Sequence, residues 1–202
     1  MVPLEEDAGW LTLPNAITLV RLLSLPVFVW LAGFTNHWAM AGWLLGVIGS
    51  TDWVDGYLAR RLHQVSKVGK IIDPAADRIL VMTGLLTVAA VGAVPWWFAI
   101  ATLVRETLVS GMTLGLAALG AARIDVLWWG KVASAAMMTA YPWFLITSNP
   151  HRAPLLTWQH VVRDIDWAIG LMGLALAYVV LVAYVPPAMN ALRTGRAARK
   201  LL

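Results

Sequence analysis

Six long apolar runs constrain the fold of this sequence more than any other feature. A helix needs about 20 mostly apolar residues to cross the hydrocarbon core of a bilayer, and each run is close to that length. The runs are Ala16–Phe34, Trp38–Leu58, Ile71–Val91, Trp96–Leu119, Leu127–Ile146 and Trp167–Val185. Apolar residues make up 60% of the chain and charged residues only 13%, and a soluble domain of this size would need more charge at its surface. The sequence therefore predicts an all-α integral membrane bundle of six transmembrane helices.

The basic residues predict how this bundle is oriented in the bilayer. Lysine and arginine are concentrated in the connection between the second and third runs and in the C-terminal tail: Arg60, Arg61, Lys67, Lys70, Arg193, Arg196, Arg199 and Lys200. Because cytoplasmic segments carry the excess of basic residues, we expect both termini in the cytoplasm of a bacterial cell, with Arg152 and Arg163 as mild exceptions. The formal charge of +4 then reflects a membrane surface and not a nucleic acid.

We expect one membrane domain over residues 1–202, with an N-terminal segment at 1–14 and a basic cytoplasmic tail at 189–202. No internal repeat or linker points to a second domain. The chain has no cysteine, which excludes disulfides and thiolate metal sites.

Two pairs of aspartates flank the basic connection between the second and third runs. Asp52 and Asp55 are three residues apart, and Asp73 and Asp77 are four residues apart. Residues at these spacings share one side of a helix. Because the connection is short, the two helices should be antiparallel neighbours, and all four carboxylates can converge at the cytoplasmic edge of the membrane.

A cluster of this kind indicates a divalent metal site. One aspartate at membrane depth costs about 2.5–3.5 kcal/mol on insertion scales, and four together repel one another. Oxygen ligands favour Mg²⁺ or Mn²⁺, and Mg²⁺ commonly completes its shell with substrate phosphates. The alternative is that the aspartates only form ion pairs with Arg60, Lys70 or Arg78.

The segment from Asp52 to Asp77 resembles the signature of the CDP-alcohol phosphatidyltransferase family, D-x2-D-G-x2-A-R-x8-G-x3-D-x3-D. Every defined position matches, namely Asp52, Asp55, Gly56, Ala59, Arg60, Gly69, Asp73 and Asp77. The stretch from Pro14 to Arg21 is also similar to the N-terminal segment of this family. These stretches and the six-run layout extend the resemblance over most of the chain.

The resemblance implies a homodimeric enzyme of six transmembrane helices that transfers a phosphatidyl group from CDP-diacylglycerol to an alcohol and releases CMP. Two divalent ions, Mg²⁺ or Mn²⁺, would be held by Asp52, Asp55 and Asp73, with Asp77 as a further ligand or as the general base. The nucleotide contacts implied are Asn15, Thr18, Gly56, Ala59, Arg60 and Gly69. The alternatives at the N-terminal segment are that Asn15 only caps the first helix and that Arg21 only reaches to the membrane surface.

The acceptor alcohol is less strongly indicated by the sequence. The chain resembles the glycerol-lipid branch of the family, whose acceptors are phosphatidylglycerol or glycerol 3-phosphate. Enzymes that use glycerol 3-phosphate usually show G-K-x-K-T in the fifth span, whereas this chain has Gly130 and Lys131 followed later by Ala133 and Ser134. The missing cation favours phosphatidylglycerol, as in a cardiolipin synthase.

Three other ionisable residues are candidates for binding the acceptor. Arg105 and Glu106 lie inside the fourth apolar run, where ionisable groups are functional candidates by default. Lys131 is the third candidate. The alternatives are a structural ion pair for Arg105 and Glu106 and an interfacial position for Lys131. A small ion-coupled transporter is the competing class of protein, but the acids gather at one membrane edge and no charged track continues from them.

Overall fold

The computed structural model describes residues 13–62, 69–119, 128–148 and 155–199. All regular secondary structure within these ranges is α-helical, which confirms the predicted fold class. The helices are α1 (Leu13–Gly33), α2 (Trp38–Leu62), α3 (Gly69–Ala90), α4 (Trp96–Ala118), α5 (Trp128–Ile146), α6 (Thr157–Ala183) and α7 (Val185–Arg199).

The first five predicted spans agree closely with α1 to α5, but α6 begins ten residues before the predicted start at Trp167. The backbone N–H of Leu156 donates a hydrogen bond to Oε1 of Gln159 at 2.8 Å. A glutamine at this third position of a helix can satisfy a backbone donor that the first turn leaves unpaired. This cap starts α6 at Thr157, although the charged residues from Arg163 to Asp166 interrupt the apolar pattern.

Helix α7 was not predicted, because its sequence was interpreted only as part of a basic tail. It begins with Val185, Pro186 and Pro187. Proline is compatible with the first turn of a helix, where the backbone N–H has no helical partner to lose. The adjacent prolines therefore mark a helix start here and not a break.

The turn after α3 has a defined geometry. Gly92 has a φ of 80°, a conformation that glycine adopts without steric cost. The backbone N–H groups of Gly92 and Ala93 donate to the carbonyls of Ala89 and Val88, both at 3.0 Å. This pattern is the Schellman motif, which ends a helix by satisfying its last carbonyls.

The chain divides into two compact units. The first contains α1, α2, α3, the end of α5 from Tyr141 and the beginning of α6 to Arg163. The second contains α4, the remainder of α5 and α6, and α7.

In the first unit, α1 contacts both α2 and α3, and α2 contacts α3. The buried side chains of α1 are Thr18, Arg21, Leu25, Phe28 and Ala32. Their alternating spacing of three and four residues forms a single stripe along the helix. Two of its five members are polar, so the core of this unit contains polar groups as well as apolar ones.

Helix α2 packs unusually closely against the end of α5 in the same unit. A Cβ atom added at Gly42 would lie 2.6 Å from the backbone oxygen of Pro142 and 2.7 Å from a side-chain atom of Ile146. Nearby, the rings of Trp43 and Trp143 meet edge to face with centroids 5.9 Å apart. The absence of a side chain at Gly42 therefore sets the distance between these two helices.

The second unit is also built on close helix contacts. A Cβ at Gly173 of α6 would lie 3.1–3.4 Å from Met137, Ala136 and the carbonyl oxygen of Ala133 on α5. The hydroxyl of Tyr178 donates to the Ala101 carbonyl of α4 at 2.8 Å. These contacts hold α4, α5 and α6 together within the unit.

The outward side of α1 is apolar, with Leu19, Val20, Leu23, Val27 and Trp30 each at least half exposed. A contiguous apolar surface of this kind marks a membrane or protein interaction site. By length and composition, three helical stretches among the described residues can cross a membrane: Asn15–Gly33, Trp96–Leu116 and Thr157–Leu192. The structure thus supports a membrane protein.

We expect Gly42→Ala to destabilise the protein by about 1–3 kcal/mol, the usual cost of overpacking, because a backbone atom of α5 blocks the new methyl group. Thermal unfolding in detergent would measure this as a lower Tm. Gly49→Ala is the matched control on the same helix, since a Cβ at Gly49 meets no atom within 4 Å. Equal Tm values for the two variants would contradict the proposed close packing.

Candidate active site

The four aspartates lie on two helices that contact each other. Asp52 and Asp55 are part of α2, and Asp73 and Asp77 are part of α3. Both spacings therefore occur within continuous helix, as sharing one side of a helix requires. The side chains of Asp52, Asp55, Asp73, Ala59 and Arg60 lie outside the described residues, and Gly56 and Gly69 are described only as helical positions. Their roles as metal ligands and nucleotide contacts stay predictions.

The buried side of α2 follows a repeat that can be extended along the sequence. Ala41, Leu45 and Ile48 are buried and are spaced by four and then three residues. Continuing this repeat reaches Asp52 and then Asp55. The helix is continuous through these positions, and their side chains lie outside the described residues.

Helix α3 gives the same kind of information for the second pair. Ala76 and Leu80, on either side of Asp77 in the sequence of α3, are buried. Asp77 itself is half-buried, and its Oδ1 atom has no exposed surface. The predicted base is therefore partly enclosed by protein.

Helix α1 adds polar groups to this unit. Thr18 is only 1% exposed, and Asn15 one turn earlier is half-buried. Both residues were predicted as nucleotide contacts, and both lie on a helix that contacts α2 and α3. The structure places them in the same unit as the four acids, while the nucleotide contact itself stays a prediction.

Arg21 is the polar residue that the sequence reasoning underestimated. Its side chain is 2% exposed and is the largest fully buried one in the described part of the chain. The alternative that it only reaches to the membrane surface is therefore wrong. The available signal was an arginine in the middle of an apolar run, which marks a functional candidate by default. Arg105 and Glu106 carry the same signal in the fourth apolar run.

The predicted donor set suits a hard divalent ion, because four carboxylates offer only oxygen ligands. Among the described side chains, no group of three or more histidine, cysteine, aspartate or glutamate residues could hold a metal. The side chains of Asp52, Asp55 and Asp73, three of the four predicted ligands, lie outside the described residues. The metal assignment thus depends on the chemistry of the acids and on the buried Oδ1 atom of Asp77.

The second unit contains a polar group inside α4. Arg105 is 4% exposed, and its Nη1 donates to Glu106 and, at 3.3 Å, to the Oγ atom of Ser134 on α5. Its Nε atom is buried and has no hydrogen-bond partner among the described residues. Lys131, the third predicted acceptor residue, is exposed near the start of α5. The structure thus joins Arg105 to Glu106 and Ser134, whereas Lys131 is exposed.

Position 133, where the glycerol 3-phosphate pattern has lysine, is fully buried in this protein. Ala133 is 0% exposed, and its carbonyl lies against Gly173 of α6. A lysine here would place a charge inside a close helix contact, which is costly without a partner. Ser134 retains a hydroxyl at the threonine position of the pattern, and this hydroxyl accepts the bond from Arg105.

Most of this chain aligns in sequence with each of three relatives. A Mycobacterium tuberculosis protein named "Putative cardiolipin synthase" is 34% identical over 203 residues, which cover 100% of this chain and 92% of the relative. "Cardiolipin synthase (CMP-forming)" of Streptomyces coelicolor is 30% identical over 93% of this chain and 87% of its own. The Escherichia coli "CDP-diacylglycerol--glycerol-3-phosphate 3-phosphatidyltransferase" is 34% identical over 68% of this chain and 78% of its own.

The family comparison covers both of the helices that carry the acids and nearly all of the remaining chain. The sequence profile of CDP-alcohol phosphatidyltransferase matches residues 11–188. This range contains every residue that was predicted to bind metal, nucleotide or acceptor. With an all-helical fold and helices that can cross a membrane, the chain belongs to the CDP-alcohol phosphatidyltransferase family.

Proposed function

We propose that this protein transfers the phosphatidyl group of CDP-diacylglycerol to a glycerol-type alcohol and releases CMP. The observation that carries the proposal is the complete aspartate signature on α2 and α3, two contacting helices, in a member of this enzyme family. The names of the relatives support the same reaction. An ion-coupled transporter has no such support.

In the proposed reaction, an oxygen of the acceptor hydroxyl attacks the phosphorus that bears the diacylglycerol. A new phosphorus–oxygen bond forms, the anhydride bond between the two phosphates breaks, and CMP leaves with the bonding electrons. Asp77 accepts the hydroxyl proton. Its half-buried position with an enclosed Oδ1 atom supports this role, because a placed base must be held at the reacting group.

The remaining residues of the first unit bind and orient the donor in this proposal. Asn15 and Thr18 on α1 contact the nucleotide, together with the signature positions Gly56, Ala59, Arg60 and Gly69. Asp52, Asp55, Asp73 and Asp77 would hold two Mg²⁺ or Mn²⁺ ions, which when bound neutralise the diphosphate and the charge that develops on it.

For the acceptor, we propose phosphatidylglycerol, which makes the protein a cardiolipin synthase of the CMP-forming type. The relatives matched over nearly the whole chain carry that name, and the buried Ala133 leaves no cation at the position where the glycerol 3-phosphate pattern has one. Arg105 would bind the single negative charge of the acceptor, with Glu106 and Ser134 holding its guanidinium. Lys131 would contact the acceptor at the surface of the protein.

Glycerol 3-phosphate is the second candidate acceptor. The Escherichia coli relative is named for it, and Arg105 and Lys131 together could bind a phosphate of higher charge. The two acceptors differ in lipid solubility and in charge, so a direct competition separates them.

The test is to supply purified protein with CDP-diacylglycerol, Mg²⁺ and equal amounts of both acceptors, and to resolve the lipid products. We expect CMP release and cardiolipin. Phosphatidylglycerol phosphate as the product would assign the other acceptor, and no CMP release with either would contradict the function.

We expect Arg105→Gln to raise the KM for the acceptor about tenfold, since a hydrogen bond to a charged group contributes about 1.5–3 kcal/mol. The KM for CDP-diacylglycerol should not change.

Asp77→Asn should lower kcat by about 10²–10⁴-fold, the usual contribution of a placed base, with the fold retained. CMP release at saturating substrates measures this, and circular dichroism checks the fold. Asp164→Asn on α6 is the matched control, because Asp164 is exposed, and it should keep full activity. A fully active Asp77→Asn variant would remove the assignment of the base.

We also propose a homodimer in the cell membrane with both termini in the cytoplasm. Because the chain has no cysteine, single introduced cysteines report the side on which they lie. A membrane-impermeant thiol reagent applied to intact cells should label N36C, in the exposed turn after α1, and should reach M189C, exposed on α7, only after permeabilisation. The opposite labelling pattern would reverse the proposed orientation. Light scattering that shows only monomers would contradict the proposed dimer.

A further inference from the structure

We propose that Arg21 is a positioning residue of the acidic site, its buried guanidinium lying beside Asp77 and balancing part of the charge of the predicted metal ligands. The inference depends on the proposed function only in taking these aspartates as the metal site. Arg21 lies on the buried stripe of α1, between Thr18 and Leu25. Burial to 2% exposure places an obligatory cation in the interior of the first unit.

A buried guanidinium requires an anionic partner. It carries five N–H donors and cannot lose its charge in a protein, and a buried charge without a partner is strongly destabilising. Within the described ranges of the first unit, the acidic residues are Asp52, Asp55, Asp73 and Asp77. The interior charge of Arg21 therefore points to this group of acids.

The packing of α1 against α3 brings together residues that follow Arg21 and Asp77 in the sequence. Leu22 and Leu25 of α1 line a groove of about 460 Å³ together with Ile79 and Thr83 of α3. Arg21 immediately precedes Leu22, and Asp77 precedes Ile79 by two residues. The Oδ1 atom of Asp77 is buried, as is the Nε atom of Arg21. Both charged groups thus have buried atoms on helices that contact each other.

One positive charge among four negative ones has two consequences. It reduces the repulsion among the aspartates before a metal binds, so the bundle can keep them close together. It also opposes the binding of further cations, since like charges a few ångströms apart interact strongly in a medium of low dielectric constant. Arg21 would therefore set the metal affinity of the site and hold Asp77 in the position that the reaction needs.

The test compares Arg21→Gln with Arg21→Lys and with Arg78→Gln. Arg78 is the matched control, because it adjoins Asp77 in sequence but is exposed. Binding of Mn²⁺ is measured by electron paramagnetic resonance without substrate, and kcat and KM are measured from CMP release. We expect Arg21→Gln to bind Mn²⁺ about tenfold more tightly, from the lost repulsion, and to have a kcat lowered by at least tenfold. Arg21→Lys should restore most of both values, and Arg78→Gln should resemble the unchanged protein.

These outcomes separate the proposal from its alternatives. Unchanged or weaker Mn²⁺ binding in folded Arg21→Gln would overturn it, because a purely structural arginine can only loosen the site when it is lost. A raised KM for CDP-diacylglycerol with unchanged Mn²⁺ binding would also overturn it and would assign Arg21 to the donor phosphates. If the unchanged protein releases no CMP but the Mn²⁺ shift is observed, the proposed function fails and the charge balance stands.

If Arg21→Gln does not fold, a double variant provides the test. In that case, the double variant Arg21→Gln/Asp77→Asn removes one charge of each sign and should recover a stable fold, as coupled partners do in a double-mutant cycle. A double variant no more stable than Arg21→Gln alone would overturn the proposal.

Discussion

The burial of charge inside an apolar helical bundle is the constraint on which the rest of this structure depends. The outward side of α1 is apolar, whereas its inward stripe contains Thr18 and Arg21. Polar groups removed from water are stable only when they have partners inside the protein. An enzyme that handles a charged diphosphate at a membrane must therefore hold its polar residues in the interior, where neighbouring helices can satisfy them.

Close helix packing makes such an interior possible. The chain uses glycine where one helix backbone approaches another, as at Gly42 against Pro142 and at Gly173 against Ala133. In a bilayer the hydrophobic effect does not drive helices together, so close contact between backbones contributes much of the stability. In the first unit α1, α2 and α3 are in mutual contact, and α2 and α3 are the helices that carry the aspartates.

The second unit shows how a small sequence difference can acquire a structural meaning. The change from lysine to alanine at position 133 would by itself indicate only a missing charge. The structure adds that Ala133 is fully enclosed and that Ser134, the next residue, accepts a hydrogen bond from Arg105. The local environment is thus organised around one buried arginine on α4, and this arrangement is compatible with an acceptor of lower charge.

The sequence by itself determined the presence of helices α1 to α6, the family and the candidate residues. The apolar runs have the length of a membrane span, and the fixed spacing of Asp52, Asp55, Asp73 and Asp77 is a property of the chain alone. The start of α6 at Thr157 and the helix α7 were missed, because the apolar pattern does not mark them. A capping glutamine begins the first helix and two prolines lie in the first turn of the second.

Only the tertiary structure decided which polar residues are enclosed. Arg21 and Lys131 look alike in the sequence, since each is a single cation near apolar residues, yet Arg21 is buried and Lys131 is exposed. The difference arises because burial depends on which side of a helix meets its neighbours, and the contacts of α1 with α2 and α3 exist only once the chain has folded.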